Sequence, residues 1–273
     1  MMSIRTNVAA QTGAGQLTRT NKGLTGSLAR ISTGMRVNRA ADDAANLGVS
    51  TNLETQIGST RTAMRNINDG ISIIQTAEGS ANEVTDILQR MRELAVQSGS
   101  DTLGNDERSF IQDEFVQLRS EVSRIAQVTE FNGVLIGNGV ISTINVQVGI
   151  NADANSRIVI TLGDLTTSGL GISQISLQNS ASALQALSML DTAIGSVNST
   201  RSVFGAVQNR MESALNNAQI SVEALSSANS QIIDTDFATE TANLTKLQIM
   251  QQAGVAALAQ AKNVNQSVIS LLN

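Results

Sequence analysis

Two adjacent carboxylates, Asp42 and Asp43, are the residues whose spacing first suggests chemistry. They stand in NRAADDAAN (38–46), close to Arg36 and Arg39. A carboxylate pair can hold a metal ion or act as general acid and base. The chain has no histidine, and no further acidic cluster accompanies the pair. We therefore expect helix N-capping and ion-pair chemistry here, at the start of a long helix where aspartate is favoured.

The other residue types exclude most enzymatic sites. The sequence contains no His and no Cys, which removes the common zinc ligands, the cysteine nucleophile and the usual base near neutral pH. The glycines at 13, 15, 23 and 26 are not followed by the Gly-Lys-Ser or Gly-Lys-Thr of a phosphate loop. We expect no enzyme activity and no cofactor.

The composition favours slender helices over a compact globular core. The 273 residues include no Trp, Tyr or Pro and five Phe, and large rings normally supply much of a globular core. No apolar run is long enough for a membrane span or a cleaved secretory signal. The net charge of −5 comes without a basic patch in the sequence, so we expect no nucleic acid and no membrane insertion.

A helical pattern runs from 43 to 98, with apolar residues at alternating gaps of four and three. Such a seam is typical of a coiled coil, and a helix of this length spans roughly 80 Å. The pattern predicts further helices over 106–128 and 181–229. Between them, alternation in the region 141–180 predicts one β-hairpin, with Asn-Gly turns just before it. The predicted fold is mainly α: long antiparallel coiled-coil helices forming a rod, with one small β-hairpin region.

Both ends of the chain carry apolar heptad stripes that have no partner in this central part. Each stripe can pair only with the other or with another molecule, and a pair of two such helices has too little core to be stable alone. We expect them to be weakly ordered in the monomer and to fold on assembly into an open, head-to-tail polymer. The predicted assembly seam consists of Leu17, Leu24, Leu28, Ile31, Met35, Phe237, Leu244, Leu247, Leu258, Val268 and Leu272.

A second stripe on the long central helix points away from its seam. Arg90, Leu94 and Gln97 follow one another at gaps of four and three, whereas Met91 and Ala95 belong to the seam. On spacing alone Leu94 is either an ordinary surface leucine or part of a contact surface. The sequence leaves these two alternatives open.

Long segments of the chain resemble bacterial flagellins. ISTGMRVNRAADDAANLGVS (31–50) is similar to the N-terminal flagellin signature, and the segments 66–98 and 111–137 continue the likeness. Residues 236–272 resemble the C-terminal end of the family. The resemblance implies an inner core domain made of residues 1–42 and 230–273, and an outer core domain over 43–229. The variable outer domains of many flagellins have no counterpart here.

The resemblance also implies a function and its partners. The chain is expected to be a secreted subunit of the extracellular flagellar filament, exported without a cleaved signal peptide. Its expected partners are further flagellin subunits, the flagellar cap, hook-junction proteins and an export chaperone. In flagellins the positions that match Arg90, Leu94, Gln97 and Glu114 form the surface that Toll-like receptor 5 recognises on the monomer. The alternative within the same helical class is a hook–filament junction protein.

Overall fold

The computed structural model describes the backbone of residues 7–270 and the side chains of residues 7–263. These residues are mainly helical, as predicted, with two short antiparallel ladders. The helices are α1 (Val8–Thr33), α2 (Ala44–Ser98), α3 (Asn105–Val128), α4 (Ser180–Ile233) and α5 (Phe237–Ser270). The strands are β1 (Glu130–Phe131), β2 (Val134–Leu135), β3 (Thr143–Gln147) and β4 (Arg157–Thr161).

The chain forms two compact units. The central unit is Gly58–Glu223, and the terminal unit combines Met1–Ile57 with Ala224–Asn273. Both boundaries fall inside long helices, α2 and α4.

Helix ends in the terminal unit follow local capping rules. The Asn7 side chain accepts a hydrogen bond from the Ala10 backbone N–H at 2.9 Å and starts α1. Gly34, with φ of 72°, ends it by donating its N–H to the Arg30 carbonyl, a left-handed conformation that suits glycine. Asp43 accepts from the Asn46 N–H at 3.0 Å directly before α2. The predicted capping role of this aspartate is confirmed.

The core of the central unit contains two clusters of apolar side chains. The predicted seam of α2 supplies both of them, including Ile67 and Ile74 in one and Leu88 and Met91 in the other. Phe115 from α3, the buried face of α4 and apolar residues of the segment 165–177 join the second cluster. The periodicity therefore predicted correctly which face of α2 is buried.

The predicted hairpin is β3 paired with β4, in antiparallel register from Thr143 opposite Thr161 to Gln147 opposite Arg157. Its inward residues Val146, Ile158 and Ile160 join the first core cluster. A side chain at Gly70 would lie 2.9 Å from Met211 Cε and 3.1 Å from Val146 Cγ2, so glycine permits this close packing. The small ladder of β1 and β2 closes around Asn132-Gly133, both with positive φ.

Candidate assembly and recognition surfaces

Helices α1 and α5 of the terminal unit pack against each other in antiparallel order. Large leucines on one helix lie over glycines on the other: Leu258 over Gly13, Leu247 over Gly23 and Leu17 over Gly254. The ideal Cβ positions at these glycines are 3.2 to 3.4 Å from the leucine side chains, so the two backbones approach closely. The N-terminal and C-terminal stripes therefore meet within one chain.

Polar contacts hold the same register along the whole pair. Asn7 Nδ2 donates to the Ala261 carbonyl at 2.9 Å near one end, and Gln251 Nε2 donates to Asn21 Oδ1 at 2.8 Å further along. The contact that lies further along α1 has its partner earlier in α5, as an antiparallel pair requires. These contacts orient the pair without adding much hydrophobic burial.

A buried carboxylate joins the two helices near the other end of the pair. Glu240 Oε1 accepts from Arg30 Nη2 at 2.7 Å and from Ser27 Oγ at 2.5 Å. Hydrogen bonds from Arg30 and then from Ser27 hold the pKa of the Glu240 carboxyl below its usual value. The sequence predicted none of this cluster, because no local pattern connects residues so far apart in the chain.

The nine residues of the predicted assembly seam whose side chains the structure describes divide into two sets. Seven of them are half-buried: Leu17, Leu24, Ile31, Met35, Leu244, Leu247 and Leu258. Leu28 and Phe237 are exposed instead, Phe237 by 53%. Val268 and Leu272 lie outside the residues whose side chains the structure describes.

Further large apolar side chains of α5 are exposed besides those of the predicted seam. Ile249 is 60% exposed and Val255 is 54% exposed, although neither was assigned to the seam. The heptad count missed them because α5 is apolar on more than one side, so no single stripe describes it. The α1/α5 pair consequently retains an apolar surface after the two helices have packed.

The second stripe of α2 only partly forms the surface that its spacing suggested. Arg90 and Gln97 are exposed, and Arg90 forms an ion pair at 2.9 Å with Glu114 of α3, which is also exposed. Arg90 also binds Glu93 at 3.0 Å. The structure thus brings Arg90 and Glu114 together, as a shared surface requires.

Leu94 contradicts the expectation of an exposed leucine. Its side chain is 1% exposed and belongs to the core cluster that contains Leu88 and Phe115. The reason is that two helices pack beside α2 at this level. Arg90 pairs with Glu114 of α3, and Arg92 pairs with Asp191 of α4. The face of α2 that lies between Arg90 and Arg92, which includes Leu94, is therefore covered by α3 and α4.

The described residues were compared with the patterns of a metal site and of a membrane span. No group of three or more His, Cys, Asp or Glu side chains among them is placed to hold a metal ion. Within residues 7–270, no helix combines the length and the apolarity that crossing a membrane requires.

Two family models match the chain at its ends and into its centre. The bacterial flagellin N-terminal helical region matches residues 4–140, and the bacterial flagellin C-terminal helical region matches residues 187–272. The two matches cover the helices on either side of the β-hairpin region. That region therefore stands between the two matched parts.

Known proteins similar to this chain come from several bacteria. A flagellar filament 30.7 kDa core protein of Treponema maltophilum is 39% identical over 100% of both chains. A flagellin of Bacillus subtilis is 37% identical over 99% of this chain and 100% of its own. The crystal structure of Bacillus cereus flagellin matches 56% of this chain and 88% of its own, with 31% identity and a TM-score of 0.51.

A lower-identity structure shares the fold alone. A chain described as a flagellar hook-associated protein from Vibrio parahaemolyticus has a TM-score of 0.59 and 12% identity, covering 71% of this chain. The full-length sequence matches and both family models are more specific than this likeness. On these grounds the chain belongs to the bacterial flagellin family and is a structural subunit of a flagellar filament.

Proposed function

We propose that copies of this chain assemble head-to-tail through their terminal helices. Residues 1–42 and 230–273 form an inner core domain around the filament channel, and residues 43–229 form an outer core domain. The observation that carries this proposal is that large apolar side chains of the α1/α5 pair remain exposed, among them Phe237, Ile249 and Val255. Apolar surface of this kind gains free energy when a second copy covers it.

Seeded growth of purified monomer tests the assembly surface. A double variant, Ile249→Ser with Val255→Ser, should raise the concentration needed for growth, because serine removes apolar area from the contact. The matched control is Val140→Ser, since Val140 is 81% exposed in the central unit. Electron microscopy of wild type should reveal long tubes with a channel, which a hook–filament junction protein does not form. Unchanged growth of the double variant would reject this surface.

The proposed route out of the cell is the flagellar secretion channel, with an export chaperone. The flagellar cap and hook-junction proteins are the proposed partners at the filament ends. The resemblance to flagellins supports this part of the proposal. Cells that lack the flagellar export apparatus should retain the chain internally, and secretion from such cells would contradict the route.

The proposed receptor-recognition surface for Toll-like receptor 5 comprises Arg90, Gln97 and Glu114 on the monomer. The ion pair between Arg90 and Glu114 supports it, because it joins side chains of α2 and α3 on one exposed surface. Leu94 acts from beneath, since its buried side chain supports the backbone that carries Arg90 and Gln97.

A reporter-cell assay on purified monomers tests the receptor proposal. Arg90→Ala and Glu114→Ala should weaken signalling, whereas Arg92→Ala should not. Arg92 is a close control because it is also an exposed arginine of α2 in an ion pair, but its partner Asp191 belongs to α4. Equal signalling by the Arg90 and Arg92 variants would remove Arg90 from the surface.

A further inference from the structure

A cleft of about 540 Å³ in the terminal unit is unusually rich in cations. It lies between α1 and the segment 38–42, and its lining includes Arg19, Lys22, Arg30 and Arg39 but only one acidic residue, Asp42. These cations form no basic patch in the sequence, because they are spread over twenty-one residues of an acidic chain. In the folded chain the four cationic side chains line the same cleft.

Three of the four cations have no anionic partner among the described residues. Arg30 is neutralised by Glu240, and the Asp42 carboxylate accepts hydrogen bonds from the Asn38 and Arg39 backbone N–H groups. No ion pair within residues 7–263 involves Arg19, Lys22 or Arg39. The cleft therefore has a net positive charge that is solvated in the monomer.

The two units of the chain differ in the sign of their charge. The stretch Gly58–Glu223 contains ten Lys and Arg against seventeen Asp and Glu. The two terminal stretches together contain eight Lys and Arg against six Asp and Glu. A contact between a terminal unit and the central unit of another copy is therefore electrostatically complementary.

We propose that this cleft receives carboxylate side chains from the central unit of a second copy when the filament forms. The inference rests on the proposed assembly, which would carry the terminal unit out of water. Cations that lose water without gaining an anion are costly, so an assembled contact has to supply one. Nucleic acid is a poorer occupant, because the chain carries −5 overall and no aromatic side chain lines the cleft.

Zero-length cross-linking of filaments identifies the occupant directly. A carbodiimide activates a carboxylate, the Lys22 amine attacks it, and an amide forms while the carbodiimide leaves as its urea. Filaments grown from equal amounts of ¹⁴N and ¹⁵N chains distinguish links between copies from links within one copy. The expected product is a mixed-isotope peptide that joins Lys22 to an Asp or Glu of residues 58–223.

Two variants provide the controls and a second readout. Lys22→Arg keeps the charge and removes the amine, so filaments should grow normally and the cross-link should disappear. Arg19→Glu with Arg39→Glu should raise the concentration needed for growth by roughly tenfold or more, because buried charge pairs contribute energies of this size. Lys262→Glu, an exposed charge change on α5 outside the cleft, should have a smaller effect.

Three results would overturn the cleft's role while leaving the assembly proposal intact. In the first, filaments form normally but Lys22 is cross-linked only to residues of its own copy. In the second, Lys22 is cross-linked only to the terminal stretches of a neighbouring copy. In the third, the double charge reversal causes no loss of growth. Wild-type chain that fails to grow on seeds contradicts assembly itself, and the cleft contact with it.

Discussion

Arg30 and Glu240 form an ion pair with Nη2 and Oε1 2.7 Å apart, although 210 residues separate them in the sequence. Glu240 is buried, and Ser27 donates to the same carboxylate oxygen. The same pair of helices is also held by the Asn7–Ala261 and Gln251–Asn21 hydrogen bonds and by leucines packed over glycines. Its register therefore rests on polar contacts as well as on apolar packing.

Removing this carboxylate should loosen the terminal helices. Glu240→Ala leaves Ser27 and Arg30 without their acceptor, and we expect a loss of about 1–2 kcal/mol in the stability of the α1/α5 pair. Native-state hydrogen exchange of α1 amides in the monomer should accelerate by roughly 5–30-fold, the ratio that corresponds to this energy. Glu54→Ala, at an exposed position of α2, is the control and should leave α1 exchange unchanged.

Acid should weaken the same pair. Because the folded-state pKa of Glu240 is lowered, the unfolded state binds more protons between the two pKa values, and stability rises with pH there. The contribution of Glu240 to the stability of the α1/α5 pair is complete above the ordinary glutamate pKa of about 4.3. It is lost as the pH falls through the lower pKa of the folded state. Exchange of α1 amides, corrected for intrinsic rates, should accelerate below about pH 4.3. The Glu240→Gln variant should lose this dependence, and an identical pH profile would contradict the assignment.

Leu94 should behave as a core residue in stability measurements. Leu94→Ala removes a side chain that is 1% exposed, and we expect a loss of about 2–5 kcal/mol in the free energy of unfolding of the central unit. Leu184→Ala, at a side chain that is 58% exposed, should change it by less than about 0.5 kcal/mol. Urea denaturation followed by circular dichroism measures both. Weak receptor signalling by a Leu94 variant therefore has to be compared with the measured stability of the same variant before it is attributed to lost recognition.

Two phenylalanines of α3 provide a second matched pair. Phe115 is fully buried and Phe110 is 73% exposed, so Phe115→Ala should cost about 3–5 kcal/mol while Phe110→Ala should cost less than about 0.5 kcal/mol. Thermal or urea unfolding of the two variants under the same conditions tests the expectation. A comparable loss for both would contradict the packing of Phe115, and not Phe110, into the core.

The helices and the hairpin were predictable because their signals are local and repeated. The seam of α2 supplies many apolar positions at helical spacing, and Asn132-Gly133 with alternating strands indicates tight antiparallel turns. Leu94 was assigned to the wrong environment because a single stripe describes one packing partner. α2 has two partners at that level, α3 and α4, as the shared core cluster and the ion pairs of Arg90 and Arg92 show.

The terminal surface was less predictable for a different reason. Heptad counting identified the half-buried leucines of α1 and α5, but it did not show which apolar side chains would remain exposed after pairing. The heptad stripe includes Phe237, which is exposed, and omits Ile249, which is also exposed. The Arg30–Glu240 pair has no sequence signal at all, since charged residues 210 positions apart are matched only by the fold.

Hydrogen exchange of the whole chain, compared between monomer and filament, tests the central claim most directly. The account predicts that amides of α1 and α5 become strongly protected on assembly, while core amides around Leu88 and Phe115 are already protected in the monomer. Equal protection of α1 and α5 in both states would contradict it, because the apolar side of these helices would then not need a neighbouring copy.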